Sequence, residues 1–248
     1  MKNLTKLELR KLFKSKSTYL FLGIAILLEA LSVLLSKAID ANMAGQEGYV
    51  APTVASSLLS SFDSSQLTLL LAIFVSVFAT ADYSSSTIKN VLSRGYSKKA
   101  VYASKWVACA LFALLSYGLV LLTAALLGAS FFEKGEVDGT HVGSLLLSLL
   151  VLLAYSSLDL GIALLAKKNG ASIALCIVLP LAVGMLLSMA DTALKLEDFS
   201  FGDYWLSSLG KEAASLESGK MTISGVMGGL YLVLFSLFGP LLYQASKE

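Results

Sequence analysis

Two acidic side chains interrupt long apolar stretches of this sequence. Glu29 lies in the apolar run 19–35, and Asp159 lies in the run 142–166. A carboxylate is costly to leave unpaired inside a bilayer, so each acid either joins helices or takes part in a transport path. Glu29 could meet a cationic substrate or bridge two helices. Asp159 precedes Lys167 by about two turns and could pair with it at the membrane rim or be reached by water. For both acids, the structural and the functional roles stay open.

Serines recur at every fourth position before the second apolar run. The two rows are Ser56, Ser60 and Ser64, and Ser57, Ser61 and Ser65. Because side chains four positions apart share one face of a helix, the rows predict a hydroxyl-faced helix that leads into the run 66–81. That run alone is short for a hydrocarbon layer of about 30 Å. Ser60 and Ser64 either line an outer cavity or lie on a solvated helix end; with Glu29 and Asp159 they form the candidate substrate path.

A polar stretch from Asp82 to Lys105 separates the second and third apolar runs. The residues at its two ends predict a short helix, because Ser85 or Ser86 can cap the start of the helix and Gly95 can end it. Its apolar positions share one face and are Ile88, Val91 and Leu92. A helix this short is not stable alone in water, so we expect it to lie on another surface.

The sequence lacks the residue patterns of catalytic and metal sites. A phosphate-binding loop ends in Gly-Lys-Ser/Thr, whereas the nearest case here is Gly210-Lys211-Glu212. The single histidine is His141, and Cys109 and Cys176 lie in apolar runs without disulfide or metal spacing. We therefore predict that this chain is not an enzyme, binds no metal or cofactor itself, and has no nucleic-acid partner.

The composition is typical of a membrane protein. Hydrophobic residues make up 56% of the 248 positions, charged residues only 15%, and the mean hydropathy is +0.76. Soluble domains carry roughly a quarter charged residues. The apolar runs predict six transmembrane helices at 19–35, 66–81, 107–132, 142–166, 171–190 and 223–243. The predicted fold class is all-α, with residues 1–248 forming a single polytopic transmembrane domain.

Charges divide unevenly between the predicted loops. Fourteen Lys and Arg residues fall in the two terminal tails and the second and fourth loops, against five in the first, third and fifth loops. Because cytoplasmic loops are rich in Lys and Arg, both termini and the stretch 82–105 are predicted to be cytoplasmic. Residues 191–220 then form an extracellular loop, an aromatic-rich cap. Residues 1–18 are predicted to form an amphipathic interfacial helix. Its expected apolar arc consists of Thr5, Leu9, Leu12 and Phe13.

The stretch 82–105 also carries a recognisable pattern. An acid ends the second span, a Ser-Thr-Ile-Lys sequence and an arginine follow, and a lysine opens the third span. These residues are Asp82, Ser86-Thr87-Ile88-Lys89, Arg94 and Lys105. Together with the basic N-terminal helix and six spans, the pattern resembles the permease subunits of type-2 ATP-binding-cassette exporters. The chain departs from that family in having Asp82 where Glu is usual and Ser86 where Gly is frequent.

The resemblance implies that the short helix is a coupling helix, whose apolar stripe lies in a groove of a separate ATPase. The implied ATPase-coupling residues are Asp82, Ile88, Lys89, Val91, Leu92 and Arg94. Two copies of a cassette ATPase would bind ATP and Mg, and a second permease copy or a paralogue would complete the path through a bacterial plasma membrane. A permease of this length is similar to the lantibiotic and bacteriocin immunity or peptide-export subgroup. The expected cargo is therefore an amphipathic antimicrobial peptide or another hydrophobic substrate.

Other interpretations stay open at this point. A secondary transporter or channel would need no ATPase, although the first loops of the two three-span halves differ in length, unlike those of an inverted repeat. A membrane enzyme or a passive immunity protein is a further alternative, and the stretch 82–105 could be an ordinary lysine-rich cytoplasmic loop. The sequence leaves open the substrate, the direction of transport and whether the permease pairs with itself or a relative.

Overall fold

The computed structural model describes residues 2–44, 49–63, 66–85, 87–194 and 200–245. Within these ranges the chain forms ten α-helices and no β-strand. The helices are α1 (Lys2–Lys14), α2 (Lys16–Met43), α3 (Val54–Asp63), α4 (Gln66–Ser84), α5 (Thr87–Ser93), α6 (Lys98–Phe131), α7 (Gly139–Ala166), α8 (Asn169–Leu194), α9 (Leu206–Ala214) and α10 (Ser218–Ala245).

Six helical segments are long and apolar enough to cross a membrane. They are α2, the segment Val54–Ser84 that contains α3 and α4, α6, α7, α8 and α10, with 26 to 34 residues each. At about 1.5 Å per residue, even the shortest exceeds the hydrocarbon thickness of about 30 Å. The prediction of an all-α protein with six spans is confirmed for the part of the chain that the structure describes.

Helix α7 lies at the centre of the bundle. It contacts α4, α6, α8, α9 and α10, and its residues Leu152 and Leu160 are fully buried. Aromatic rings connect three further spans, because Phe74 of α4 stacks on Phe112 of α6 with centroids 3.5 Å apart and meets Phe21 of α2 edge-on at 5.6 Å. The hydrophobic core therefore extends along α7 and along the aromatic rings of Phe21, Phe74 and Phe112.

The bundle has two different ends, which we call the α5 end and the α9 end. At the α5 end, α5 connects α4 to α6, and the hydroxyl groups of Tyr83 and Tyr243 form a hydrogen bond of 2.7 Å between α4 and α10. Because α1 also packs beside the start of α6, both terminal helices reach the α5 end. The assignment of this end to the cytoplasm stays a prediction, as do the domain boundaries.

Helix α1 buries a face that differs from the predicted one. Leu4, Glu8 and Leu12 are buried, whereas Phe13 is 50% exposed. Within the expected arc, Leu12 is buried and Thr5 and Leu9 are half-buried, so only Phe13 departs from the prediction. The buried face is shifted toward Leu4 and Glu8, because Glu8 meets a lysine of another helix. The opposite stripe is exposed and consists of Lys2, Lys6, Arg10 and Lys14.

Helix α9 packs into the bundle at the α9 end. Its residues Leu206, Leu209 and Ala213 are fully buried, and the helix contacts α3, α7, α8 and α10. The indole Nε1 of Trp205 donates to the carbonyl oxygen of Pro180, 2.9 Å away, while α8 continues through that proline. Much of the segment 191–220 is thus an integral part of the helical core.

Candidate coupling site and buried charges

Helix α5 has the length and the ending that the sequence predicts. It runs from Thr87 to Ser93, and Gly95 then adopts a φ of +82°, a conformation that residues other than glycine rarely accept. The N–H of Gly95 donates to the carbonyl oxygen of Leu92 at 3.0 Å, which closes the turn. Ser97 caps α6, since its hydroxyl accepts the N–H of Ala100 at 3.2 Å. Of the two residues predicted to cap α5, Ser85 instead donates its hydroxyl to the carbonyl oxygen of Ala81 at 2.9 Å, and Ser86 lies outside the described residues.

The apolar stripe of α5 faces the chain's own bundle. Ile88 is only 7% exposed and belongs to the hydrophobic core, with Val91 and Leu92 half-buried against that core. A small cavity of about 110 Å³ lies under the helix and is lined in part by Tyr83, Leu92 and Tyr243. The spans therefore cover Ile88, whereas Val91 and Leu92 keep part of their surface exposed. The placement of the stripe in a groove of a separate ATPase stays a prediction.

The opposite face of α5 is exposed and basic. It presents Lys89, Asn90 and Ser93 to the exterior of the bundle, and the exposed Arg94 follows directly after the helix. Of the six residues predicted for ATPase coupling, Lys89 and Arg94 are therefore the two whose charges are free to meet a partner surface. Asp82, by contrast, is buried.

Four side chains form a closed ring of ion pairs at the α5 end. Asp82 of α4 accepts from Lys105 of α6 at 2.6 Å and from Lys11 of α1 at 2.7 Å. Glu8 of α1 completes the ring, with Lys11 at 3.1 Å and Lys105 at 3.5 Å. Two acids and two lysines balance in charge, so each buried charge has an opposite partner, as a low-dielectric site requires.

The members of the ring differ in burial. The Lys105 side chain is 1% exposed, whereas that of Lys11 is 35% exposed. Burial lowers the pKa of Lys11, but the neighbouring carboxylates of Asp82 and Glu8 outweigh burial and hold this pKa above its ordinary value. Because the pKa of Lys11 is higher in the folded than in the unfolded protein, its charge stabilises the fold. This stabilisation is fully present when the pH is below the unfolded-state pKa of about 10.4, and it is lost as the pH rises through the pKa of the folded state. Lys11 therefore stays charged at neutral pH.

Asp82 and Lys105 belong to the stretch that the sequence marks as a coupling site, whereas the role of Glu8 in the ring was not predicted. A usable signal exists, because Glu8 is the only acid among the first 17 residues. It also lies four positions from both Leu4 and Leu12, on the face that those leucines bury. An acid at the centre of an apolar helix face implies a buried cation opposite it.

Glu29 joins α2 to α3. The hydroxyl of Ser61 donates to Glu29 Oε1 at 2.7 Å, and both side chains are buried. The space beside them is only about 10 Å³, no more than one water molecule needs. Ser60 is exposed and donates to the carbonyl oxygen of Ser57 in its own helix; Ser64 lies outside the described residues. The buried serine row is thus that of Ser57 and Ser61, and the structural role of Glu29 is favoured.

We expect Glu29→Gln to leave transport and substrate choice unchanged, because a glutamine oxygen can still accept from Ser61. Glu29→Leu removes the hydrogen bond between α2 and α3, while the Ser61 hydroxyl keeps the carbonyl oxygen of Ser57 as an acceptor. It is expected to lower the free energy of unfolding by about 0.5–1.5 kcal/mol, the usual net contribution of one hydrogen bond. Thermal unfolding of both variants and uptake of a panel of cationic peptides into inverted vesicles would measure this. A changed peptide preference in Glu29→Gln would instead place the acid in the substrate path.

Asp159 of α7 has no such partner. Its side chain is 1% exposed, and among the described residues neither carboxylate oxygen forms a hydrogen bond. The pair with Lys167, one of the two possibilities that the sequence left open, does not form, because eight residue steps place Lys167 about 12 Å farther along the helix axis. The nearby thiol of Cys176 donates to the backbone carbonyl of Asp159 at 3.4 Å. Asp159 instead lines a cavity between α4, α7, α8 and α9.

Six apolar helices and a polar connection with a buried charge ring define a multi-pass membrane protein. Residues 4–183 match the profile of a family described as "ABC-2 family transporter protein". The match runs from α1 into α8, so it includes α5 and all four residues of the ring. The chain belongs to this family, whose members are membrane components of transporters and generally work with a cassette ATPase. No curated protein matched the chain.

Proposed function

We propose that this chain is the permease subunit of an ATP-driven exporter in a bacterial plasma membrane, with both termini in the cytoplasm. The single observation that carries the proposal is the exposed basic face of α5, which projects from a helix anchored between two spans. Two cassette ATPases would dock on this face and on that of a second permease, either a copy or a paralogue. ATP and Mg belong to the ATPases.

A displacement of α5 by a bound ATPase would be transmitted directly to the transmembrane helices. Ile88 packs in the core beneath α5, so a displacement of the helix must move its neighbours or open a void. The ring at Asp82 then ties the end of α4 to the start of α6 and to α1. We infer that these three helices move as one unit when the ATPases close on nucleotide.

The cargo we propose is an amphipathic antimicrobial peptide or another hydrophobic molecule that leaves the cell or the membrane. The support is the apolar character of the path that six such helices can build, together with buried Asp159, the one intramembrane acid without a bonded partner among the described residues. A peptide with both apolar and cationic side chains matches these two properties.

The direct test is purification of the tagged chain from its native membrane in mild detergent. We expect a protein with cassette ATPase motifs to accompany it at a 1:1 ratio, and ATP hydrolysis in proteoliposomes to rise when the cargo peptide is added. Transport by the purified chain alone, driven by an ion gradient without ATP, would contradict the proposal and favour a secondary transporter.

A further inference from the structure

A cavity of about 260 Å³ lies between α4, α7, α8 and α9. Most of its wall is apolar and includes Ala72, Ile177 and Leu206. At one side the wall contains Asp159, and Tyr155 lies one turn before it on the same face of α7. The cavity is therefore mainly apolar, with one acidic side chain in its wall.

The carboxylate of Asp159 has nothing in the described protein to balance it. Both of its oxygens are buried and lack hydrogen-bond donors. Lys211 of α9 also lines the cavity, but its side chain is exposed and does not bond to Asp159. An isolated carboxylate in an apolar interior is unfavourable unless it is neutralised by a proton or by a cation.

Other groups in the wall favour an organic cation. Tyr155 contributes an aromatic ring to the wall, and the faces of such rings attract ammonium groups. Pro180 has no N–H to donate to the carbonyl oxygen of Cys176 four positions earlier, and both residues line the cavity. An ammonium group carries several donors, and the wall contains the carboxylate of Asp159, the aromatic ring of Tyr155 and a helical carbonyl that receives no N–H from Pro180.

We propose that this cavity binds the protonated amine of an amphipathic molecule, with the ammonium on Asp159 and the apolar body against α4 and α8. This deepens the proposed function and rests on it for its biological meaning, since the natural ligand would be a lysine-like side chain or amine of the exported cargo. The binding itself needs neither the ATPase nor nucleotide.

The protein carries its own reporter for this site. Trp205 contacts α8 beside the cavity through its hydrogen bond to the carbonyl of Pro180, and the second tryptophan, Trp106, lies elsewhere on α6 with its indole bonded to Ser157. A Trp106→Phe background therefore isolates the fluorescence of Trp205. The chain is reconstituted in phosphatidylcholine nanodiscs and titrated with octylamine, which is protonated at neutral pH, and with neutral octanol.

We expect octylamine to change the Trp205 fluorescence saturably and octanol to have no saturable effect. Asp159→Asn should weaken the octylamine response by about 10- to 100-fold, because a charge-assisted contact is lost. Glu29→Gln, which alters the other intramembrane acid, should leave the response unchanged. Tyr155→Leu provides a second variant of the site and should weaken binding of octylamine severalfold.

Equal affinity of Asp159→Asn and the parent protein would overturn the proposal, and so would equal binding of octanol and octylamine, since either result describes an apolar cavity beside a neutral acid. The absence of any saturable response in a protein that elutes as a folded species would also overturn it. If the chain retains a cassette ATPase while amine binding fails, only this inference falls. Amine binding without any ATPase partner would reject the proposed exporter instead.

Discussion

Replacing Lys105 with methionine is expected to lower the free energy of unfolding by about 3–5 kcal/mol, the usual effect of removing one member of a buried ion pair. The variant leaves the buried carboxylates of Glu8 and Asp82 with Lys11 as their single cation. Lys11 is itself partly exposed, so it cannot replace the charge that Lys105 places between the helices. Transport should be lost as well, because α1, α4 and α6 lose their shared contact.

Thermal unfolding in nanodiscs would measure the effect, with a fall in Tm of roughly 10 °C expected for a chain of this size. Lys99→Met is the matched control, since it removes an exposed lysine near the start of the same helix. Adding Asp82→Asn to Lys105→Met should recover a large part of the loss, because the remaining pair of Glu8 and Lys11 is neutral. A Lys105→Met protein as stable as the Lys99→Met control would show that the ring contributes nothing to the fold.

Reversing the charge of Lys89 on α5 and that of Arg94 directly after this helix is expected to separate the permease from its ATPase without unfolding it. Lys89 and Arg94 are exposed, so Lys89→Glu with Arg94→Glu should leave Tm within a few degrees of the parent. After the reversal these positions are acidic and would repel an acidic ATPase surface, the kind of surface that complements two basic side chains, and like charges across an interface cost several kcal/mol. Recovery of the ATPase in a pull-down should fall more than tenfold, by the same estimate.

The control for charge is the pair Lys134→Glu and Lys220→Glu, which makes the same change at the α9 end and should retain the ATPase. Ile88→Asp is the control for packing: it places a charge in the core and is expected to destabilise the protein itself. Normal ATPase recovery and transport in the Lys89→Glu, Arg94→Glu protein would remove α5 as the docking surface. Normal stability of Ile88→Asp would show that the apolar stripe is free to enter a groove of the partner after all.

The membrane spans and the short α5 helix could be predicted from the sequence because their causes are local. A run of apolar residues is favoured in lipid wherever it occurs, and the six spans follow from that preference. Helix α5 ends where Gly95 permits a positive φ. The acids Glu29 and Asp159 were likewise visible as exceptions in apolar runs, which is why both appeared as candidate site residues.

The partners of these residues were not predictable in the same way. Glu8 and Lys105 are 97 positions apart, and Lys11 and Asp82 are 71 apart. No pattern within one helix indicates which of many lysines an acid will reach. Of the two possibilities that the sequence left open for Asp159, the pair with Lys167 does not form, since the separation of the two residues along the helix is too great.

The sequence by itself therefore determined that the chain crosses a membrane six times and presents a short helix between the second and third spans. Only the tertiary structure decided that Ile88 faces inward and Lys89 and Arg94 outward, and that Glu29 is bonded to Ser61. It also decided that Asp159 lines a cavity and has no hydrogen-bond partner among the residues that the structure describes. The physical reason is that hydropathy acts residue by residue. The free energy of a buried charge depends instead on which groups the packed helices bring within about 3 Å of it.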